Sequence, residues 1–303
     1  MRIDELLANE SPVFSFEFFP PKTPEGVENL FEAIGVLAPL EPGYVSVTYG
    51  AGGATRDGTV EISTAIKRDH GIETMAHLSC VGEPVDRIRE ILERLDAGGI
   101  ENILALRGDP PRGESEFKAP EGGLTSSSEL AALIAEDFDF AIGGACFPEV
   151  HPEAPSLEAD IAFLKTKVEA GATFLITQLF FDNQAYWDFL PATRRAGIAV
   201  PIIAGVMPIT SYAQIVRFCQ LCEAVIPQPL AEAMEALDGD EEAEFELGVA
   251  YAARQCEELL AGGAPGIHFY TLNKAPATRA ILSALKASRP WERAPARPAA
   301  SRN

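Results

Sequence analysis

Short apolar segments alternate with longer amphipathic ones along this chain, and the alternation limits the possible folds more than any other feature. Eight apolar segments are rich in β-branched and aromatic residues and are bounded by glycine, proline or polar turns. Such segments are typical of buried strands. The predicted strands cover residues 13–19, 44–50, 74–80, 102–108, 140–147, 174–181, 201–208 and 266–273.

The segments between these strands have the periodicity of amphipathic helices. In the segment 84–96, Val85, Ile88 and Leu92 share one face while arginine and glutamate fill the other, and the segment 156–170 has a similar pattern. Strict alternation of strand and helix predicts parallel strands with right-handed crossovers. Eight such units favour an α/β fold closed into a (β/α)8 TIM barrel. An open doubly wound sheet would carry GxGxxG after an early strand, and the glycines at 50–53 lack that spacing.

One barrel domain is expected to cover residues 1–289. The stretch 224–264 is longer than one crossover requires, so it predicts an extra helical segment before the last strand, including a helix over 245–260. Residues 290–303 are rich in proline, alanine and arginine and are predicted to form a disordered tail. No appended regulatory domain is expected.

Charge and cysteine content narrow the classes of partner and compartment. The formal net charge of -21 argues against nucleic acid or an anionic membrane as a partner. No apolar segment reaches the length of a signal peptide core at the start or of a membrane span elsewhere. The five cysteines fit a reduced, cytoplasmic protein. Cys219 and Cys222 form one CxxC inside a predicted helix, which favours two half-buried thiols over a metal or redox site.

Glu17 stands out because it lies in an aromatic strand, Phe14-Ser15-Phe16-Glu17-Phe18. Strand alternation places Ser15 and Glu17 on the face opposite the phenylalanines, and the prolines that follow leave Glu17 at the C-terminal end of the strand. Burial should raise the pKa of this carboxyl and make it a general acid near neutral pH. The alternative is an ion pair with Arg107 in the barrel interior.

Polar residues follow other strands at the same end of the barrel, where barrel enzymes carry their sites. Asp109 follows Arg107-Gly108 and precedes two prolines, so it is either a functional carboxylate or a turn residue bonding its own backbone. Taken by itself, His77 is best interpreted as a core histidine bonded to a backbone carbonyl. No metal-ligand spacing and no serine or cysteine nucleophile signature is present, so a site without a metal and without a protein nucleophile is expected.

Five sequence segments together resemble the methylenetetrahydrofolate reductase family. They are FSFEFFPPKT from Phe14, VSVTYGAGG from Val45, LALRGDPP from Leu104, the long segment FPEVHPEAPSLEADIAFLKTKVEAGATFLITQLFFD from Phe147, and IHFYTLNKA from Ile267. The resemblance extends from about residue 14 to residue 285 in one order.

The resemblance implies a catalytic barrel with FAD across its C-terminal mouth. It implies reduction of 5,10-methylenetetrahydrofolate to 5-methyltetrahydrofolate by NADH or NADPH in a ping-pong mechanism, without choosing between the two nucleotides. Glu17 matches the family's general acid. Asp109 matches the acid that tunes the flavin and orients the pterin. A homo-oligomer acting on a small-molecule folate is expected.

The resemblance also implies the residues that hold the ligands. For FAD they are Thr48, Tyr49, Ala51, His77, Arg107, Gly108, Asp109, Ser127, Phe147, His151, Ala154, Asp160 and Lys167. For the substrates they are Gln178, Gln214, Phe218, Tyr270 and Lys274. By residue pattern alone, a solvated helix face is the default for Asp160 and Lys167, and packing is the default for Phe218.

Some positions depart from the family pattern. Phe147 replaces a common tyrosine, and Lys274 replaces an arginine and so offers a point charge in place of a bidentate fork. Phe163, Thr166 and the serines at 126–128 also depart. Two other functions stay open: a non-catalytic folate or flavin binding protein, and a flavin-free barrel enzyme acting on pterins, such as a lyase or methyltransferase.

Overall fold

The structure is a computed structural model that describes residues 1–49, 53–108 and 119–293, with only the backbone described for 53–56. Its strands form one closed parallel barrel in chain order, β1 to β8, with β8 pairing β1. The predicted (β/α)8 barrel is therefore confirmed. The strands are β1 Val13–Phe18, β2 Tyr44–Val47, β3 Thr74–Ser79, β4 Asn102–Leu106, β5 Ala141–Cys146, β6 Phe174–Thr177, β7 Ile202–Val206 and β8 Gly266–Tyr270.

Helices surround the barrel and connect its strands. Within the described residues they are α1 Ile3–Asn9, α2 Pro24–Leu37, α3 Gly53–Ala65, α4 Val85–Ala97, α5 Ser127–Asp137, α6 Leu157–Glu169, α7 Asn183–Arg195, α8 Tyr212–Cys222, α9 Gln228–Glu235, α10 Glu241–Ala261 and α11 Pro276–Ser288. Local sequence explains their starts: the side chain of Ser156 caps α6 by accepting a hydrogen bond from the Ala159 N–H. No helix in the described part of the chain is long and apolar enough to cross a membrane.

Several strands end earlier than their apolar pattern predicts. The sixth predicted strand covers 174–181, whereas β6 ends at Thr177. The apolar residues that follow are buried outside the sheet, since Phe180 is fully buried and stacks on Tyr186 of α7 with ring centroids 5.9 Å apart. Hydrophobicity alone does not distinguish a strand from a buried loop at the barrel mouth.

The alternation of β1 fixes the position of the site. Phe14, Phe16 and Phe18 pack into the cluster that the barrel shares with its helices. Glu17 projects to the other side, in register with Ser46 of β2 and Tyr270 of β8. The barrel interior at this level is therefore lined by polar groups.

The predicted extra helical segment before the last strand is present as α9 and α10. Helix α10 holds the loop after β6: the Tyr251 hydroxyl donates to the Phe181 carbonyl at 2.7 Å, and the Gln255 amide donates to the Phe180 carbonyl at 2.8 Å. This loop begins at Gln178, so the extra helix fixes part of the barrel mouth.

The first residues of the predicted tail pack against the barrel. Pro290–Glu292 form a 3-10 helix, and the Trp291 ring meets Phe14 edge-on with centroids 5.6 Å apart. The predicted residues Ala51 and Asp109, and the remainder of the tail from 294, lie outside the described residues.

Candidate active site

A cavity with two adjoining lobes opens at the C-terminal end of the barrel. The first, here called the Glu17 lobe, has a volume of about 660 Å³, and the second, the Lys167 lobe, about 480 Å³. Five residues line both lobes: Arg107, Phe147, His151, Glu153 and Gln178. Volumes of this size suit small-molecule ligands.

Glu17 lies between two histidines at the inner wall of its lobe. The Nε2 atom of His268 lies 3.3 Å from Oε2 of Glu17 within hydrogen-bonding geometry. The Nε2 atom of His77 lies 3.4 Å from the same oxygen without hydrogen-bonding geometry. Both rings are buried, while 18% of the Glu17 side chain stays exposed toward the mouth. One carboxyl oxygen is thus surrounded by imidazoles.

These neighbours correct the predicted pKa of Glu17. Burial does act to raise it, but the electrostatic interaction with the His77 ring and the hydrogen bond with His268 outweigh burial and hold the pKa of the carboxyl below its ordinary value. The prediction of a raised pKa is therefore wrong for the protein without a ligand. Burial also lowers the pKa of His77, to about 4, so this ring is neutral at neutral pH.

The predicted alternative, an ion pair between Glu17 and Arg107, is wrong as well. The guanidinium of Arg107 forms a bidentate pair with Glu153, with Nη1 to Oε2 at 2.5 Å and Nη2 to Oε1 at 2.8 Å. Glu153 lies in the loop after β5 and is more than half exposed. The pair spans the wall common to both lobes, and it holds the pKa of Glu153 below its ordinary value.

His268 is a residue that the sequence analysis missed. It lies on β8, fully buried, and its Nδ1 lies 2.7 Å from the Ser15 hydroxyl. The available signal was alternation, which puts His268 on the same face as Tyr270 in the segment Gly266–Tyr270. Relating that face to Glu17 required the pairing of β8 with β1, which closes the barrel.

The Lys167 lobe is suited to an anion. Lys167 Nζ donates to the Ala145 carbonyl at 2.9 Å, and burial lowers the pKa of its ammonium below the usual lysine range. Ser127 and Ala159, in the first turns of α5 and α6, also line this lobe. Unsatisfied N–H groups make helix N-termini attractive to anions. Two helix N-termini and Lys167 therefore line this lobe together with Asp160 and the Arg107–Glu153 pair.

Gly108 lines the same lobe and has a conformation that other residues resist. Its φ is +87°, and a Cβ atom there would lie 2.1 Å from the Ser79 Oγ and 2.5 Å from Val81 Cγ1. The chain after β4 therefore passes the end of β3 at a distance that only glycine permits.

His151 is held at the junction of the lobes. Its Nδ1 accepts a hydrogen bond from the backbone N–H of Glu153 at 3.0 Å, and the backbone N–H of His151 donates to an Asp160 carboxyl oxygen at 2.9 Å. Its ring meets Phe147 edge-on with centroids 4.5 Å apart. Burial lowers the pKa of His151, so the neutral ring carries its proton on Nε2.

Most residues predicted from the resemblance converge on this cavity. Those lining the Glu17 lobe are Glu17, Thr48, Arg107, Phe147, His151, Gln178, Phe218 and Tyr270. Those lining the Lys167 lobe are Arg107, Gly108, Ser127, Phe147, His151, Ala154, Asp160, Lys167 and Gln178. Four others that the structure describes, Tyr49, His77, Gln214 and Lys274, are not among the lining residues of either lobe.

The predicted substrate residues differ in their freedom to bind. The Tyr270 hydroxyl donates to the Thr177 carbonyl at 2.6 Å, which fixes the ring across the barrel mouth. The Gln178 side chain accepts from the Leu179 N–H at 2.9 Å. Phe218 on α8 packs in the cluster of that helix and lines the Glu17 lobe. Lys274 is exposed beyond β8.

The CxxC cysteines were predicted to be half-buried thiols, and the site was predicted to be free of metal. Cys219 is buried and Cys222 lines the Glu17 lobe, and both are free thiols. Among the described residues, no group of three or more histidine, cysteine, aspartate or glutamate side chains could hold a metal ion.

Comparison with known proteins fits this arrangement. The family model described as methylenetetrahydrofolate reductase matches residues 2–286. The chain belongs to the methylenetetrahydrofolate reductase family. Over 271 residues it is 41% identical to the 5,10-methylenetetrahydrofolate reductase of Escherichia coli (strain K12), covering 89% of this chain and 90% of the relative.

Plant relatives are longer. The chain is 38% identical over 311 residues to methylenetetrahydrofolate reductase (NADH) 1 of Arabidopsis thaliana, covering 96% of this chain and 52% of that protein. The chain thus spans about half the length of the plant relatives it matches.

Among solved structures, the fold is similar to that of an uncharacterized protein from Clostridium thermocellum that binds two copies of 5-methyl-5,6,7,8-tetrahydrofolic acid. The TM-score is 0.65 and the identity 19%, with 95% of this chain and 99% of that chain covered. The similarity supports the fold.

Proposed function

We propose that this protein reduces 5,10-methylenetetrahydrofolate to 5-methyltetrahydrofolate, with FAD as its cofactor and NADH or NADPH as the reductant. The observation that carries the proposal is the position of the Glu17 carboxyl. It lies at the mouth of a barrel of the methylenetetrahydrofolate reductase family, next to the Lys167 lobe, whose residues suit an anion. The names of the relatives in Escherichia coli and Arabidopsis thaliana support the substrate. The two substrates would use the mouth in turn, in a ping-pong order.

The residues of the Lys167 lobe fit a dinucleotide such as FAD. Lys167, Arg107 and the N-termini of α5 and α6 would hold the negative diphosphate. Gly108 lines this lobe in a conformation that a side chain would disturb, since its Cβ would clash with Ser79 and Val81. The chemistry that FAD supplies when bound is hydride transfer between nicotinamide and folate.

Glu17 is the proposed proton donor. Its carboxyl would protonate a nitrogen of the folate imidazolidine ring, which opens the ring and makes the methylene carbon electrophilic. A folate covering the lobe would remove the remaining exposure of the side chain, now 18%, and so favour the protonated form. Tyr270, Gln178 and Phe218 would position the ligand and exclude water. Asp109 keeps its proposed role beside the pterin on the strength of the resemblance.

Replacing Glu17 by glutamine tests this assignment. In the Glu17→Gln variant we expect reduction of the bound flavin by NADH or NADPH within about twofold of the wild-type rate, because that half-reaction needs no proton from Glu17. Oxidation of the reduced flavin by methylenetetrahydrofolate should slow by about 10² to 10⁴, the usual contribution of a general acid. Stopped-flow absorbance of the flavin follows each half-reaction separately.

Glu169→Gln is a matched control, because it removes one carboxylate that pairs with Lys165 on the surface of α6. It should leave both half-reactions unchanged. Loss of both half-reactions in Glu17→Gln, or retention of folate reduction, contradicts the acid role. A wild-type protein that binds no FAD and oxidises neither nucleotide contradicts the proposed function as a whole.

A further inference from the structure

We propose that His268 is a positioning residue for Glu17: its Nε2–H holds Oε2 of the carboxyl, so that Oε1 is the oxygen presented to the substrate. The inference rests on the proposed function, since it assigns the orientation of the acid in that reaction. His268 itself would touch neither the folate nor the flavin. Its ring is fully buried beneath the mouth.

The contacts of Glu17 separate its two oxygens. Both His268, at 3.3 Å, and His77, at 3.4 Å, approach Oε2. No described residue makes a hydrogen bond or ion pair with Oε1. The side chain is part of the lobe wall and retains 18% exposure, and Oε1 is the oxygen left for a ligand once Oε2 is held by the imidazoles.

The surroundings of His268 define which ring nitrogen carries the proton. An Nε2 lone pair facing a carboxylate oxygen at 3.3 Å would be repelled, so the geometry favours donation from Nε2 to Glu17, and the Ser46 hydroxyl, 3.5 Å from the same nitrogen, is the longer second contact. At the other end of the ring, the Ser15 hydroxyl lies 2.7 Å from Nδ1 and is placed to donate to it. The Tyr44 ring stacks on the imidazole with centroids 6.0 Å apart and an interplanar angle of 20°. Ser15 and Tyr44 thus fix the tautomer and the plane of the ring.

The titratable groups that face Glu17 come from three strands. His77 on β3 is neutral near pH 7, because burial lowers its pKa to about 4. Tyr44 on β2 and Tyr270 on β8 both interact with the Glu17 charge, and burial raises the pKa of each phenol. His77 also favours the ionised carboxyl electrostatically, but among the described residues only His268 approaches Glu17 within hydrogen-bonding geometry.

The tautomer can be measured without any turnover. The chain has only four histidines, so ¹⁵N-histidine labelling gives a simple spectrum, and the signals lost in His268→Gln assign the ring. At pH 8 we expect His268 to carry its proton on Nε2, as its contacts with Glu17 and Ser15 favour. A ring protonated on Nδ1 in the wild-type protein overturns the inference, whether or not the protein reduces folate.

Two variants test the effect on the acid. Glutamine places its amide nitrogen near the position of Nε2, whereas asparagine is too short to reach Glu17. His268→Asn should slow the folate half-reaction by about ten- to a hundredfold, the usual cost of a misplaced catalytic group, and leave flavin reduction by NADH within about twofold. The pH above which folate reduction declines should move upward, because a hydrogen bond favouring the carboxylate is lost. His268→Gln should restore both the rate and the pH profile.

A merely structural role predicts something else. It would slow both half-reactions together and leave the pH profile in place, and that result in folded His268→Asn overturns the inference. If His268→Asn does not fold, the tautomer of His268 in the wild-type protein decides whether the inference stands. If the wild-type protein reduces no methylenetetrahydrofolate, the proposed function fails, while the ¹⁵N measurement still tests the His268 geometry.

Discussion

The Arg107–Glu153 ion pair creates a competition at the mouth, because Glu153 occupies the guanidinium that an anionic cofactor would use. The two groups meet through two short hydrogen bonds, with 27% of the Arg107 side chain and 56% of the Glu153 side chain exposed. Any phosphate that binds Arg107 must first displace the carboxylate. Glu153→Gln should therefore increase the affinity for FAD.

The exposure of the pair sets the size of the effect. Partly exposed ion pairs contribute about 0.5 to 1 kcal/mol after solvent screening. In Glu153→Gln the protein without FAD lacks this stabilisation, so binding no longer has to overcome it. The difference corresponds to an increase in FAD affinity of about two- to fivefold. The gain should shrink as salt is added, since salt already weakens the pair in the wild-type protein.

Quenching of flavin fluorescence during titration of the apoprotein measures this affinity directly. Glu169→Gln removes an equal charge from the far end of α6 and should bind FAD as the wild-type protein does. If Glu153→Gln binds FAD no more tightly than Glu169→Gln, the carboxylate does not compete for Arg107. Weaker binding would mean that Glu153 supports the cofactor site instead.

Two further predictions concern the Lys167 lobe. Because burial lowers the pKa of Lys167, FAD affinity should fall as pH rises through that pKa and the ammonium charge is lost, whereas Lys167→Met should bind FAD weakly and without this dependence. Titrations across pH check this, with Lys165→Met on the exposed side of α6 as the control. Gly108→Ala should lower the free energy of unfolding in urea by about 1 to 3 kcal/mol more than Gly99→Ala. Gly99 has a similar φ of +77° but nothing within 4 Å of an added Cβ, so equal losses would contradict the clash with Ser79 and Val81.

The sequence predicted the barrel well because its signals are local. Each strand has its own apolar pattern, and each helix such as α6 has its own cap at Ser156. The position of Glu17 followed from alternation within one strand for the same reason. The ends of strands such as β6 were less predictable, since the apolar residues after Thr177 are buried by α7 and α10 rather than by the sheet.

The electrostatics of the site depend on contacts distant in sequence. His268 lies 251 residues from Glu17 and meets it only because β8 pairs with β1. The Arg107–Glu153 pair joins loops after two neighbouring strands, 46 residues apart. Local pattern therefore placed the Glu17 carboxyl correctly, but it gave the wrong direction for its pKa and did not reveal His268 as its partner.

The wall between the two lobes has a thermodynamic consequence. Arg107, Glu153 and Gln178 are part of both binding surfaces, so a ligand that moves Glu153 from one lobe changes the free energy of binding in the other. Thermodynamic linkage makes such an effect reciprocal. The factor by which the first ligand alters the affinity for the second equals the factor by which the second alters the affinity for the first. A molecule in the Glu17 lobe that displaces Glu153 would therefore change the dissociation constant of the proposed cofactor, so each affinity would depend on the occupancy of the other lobe.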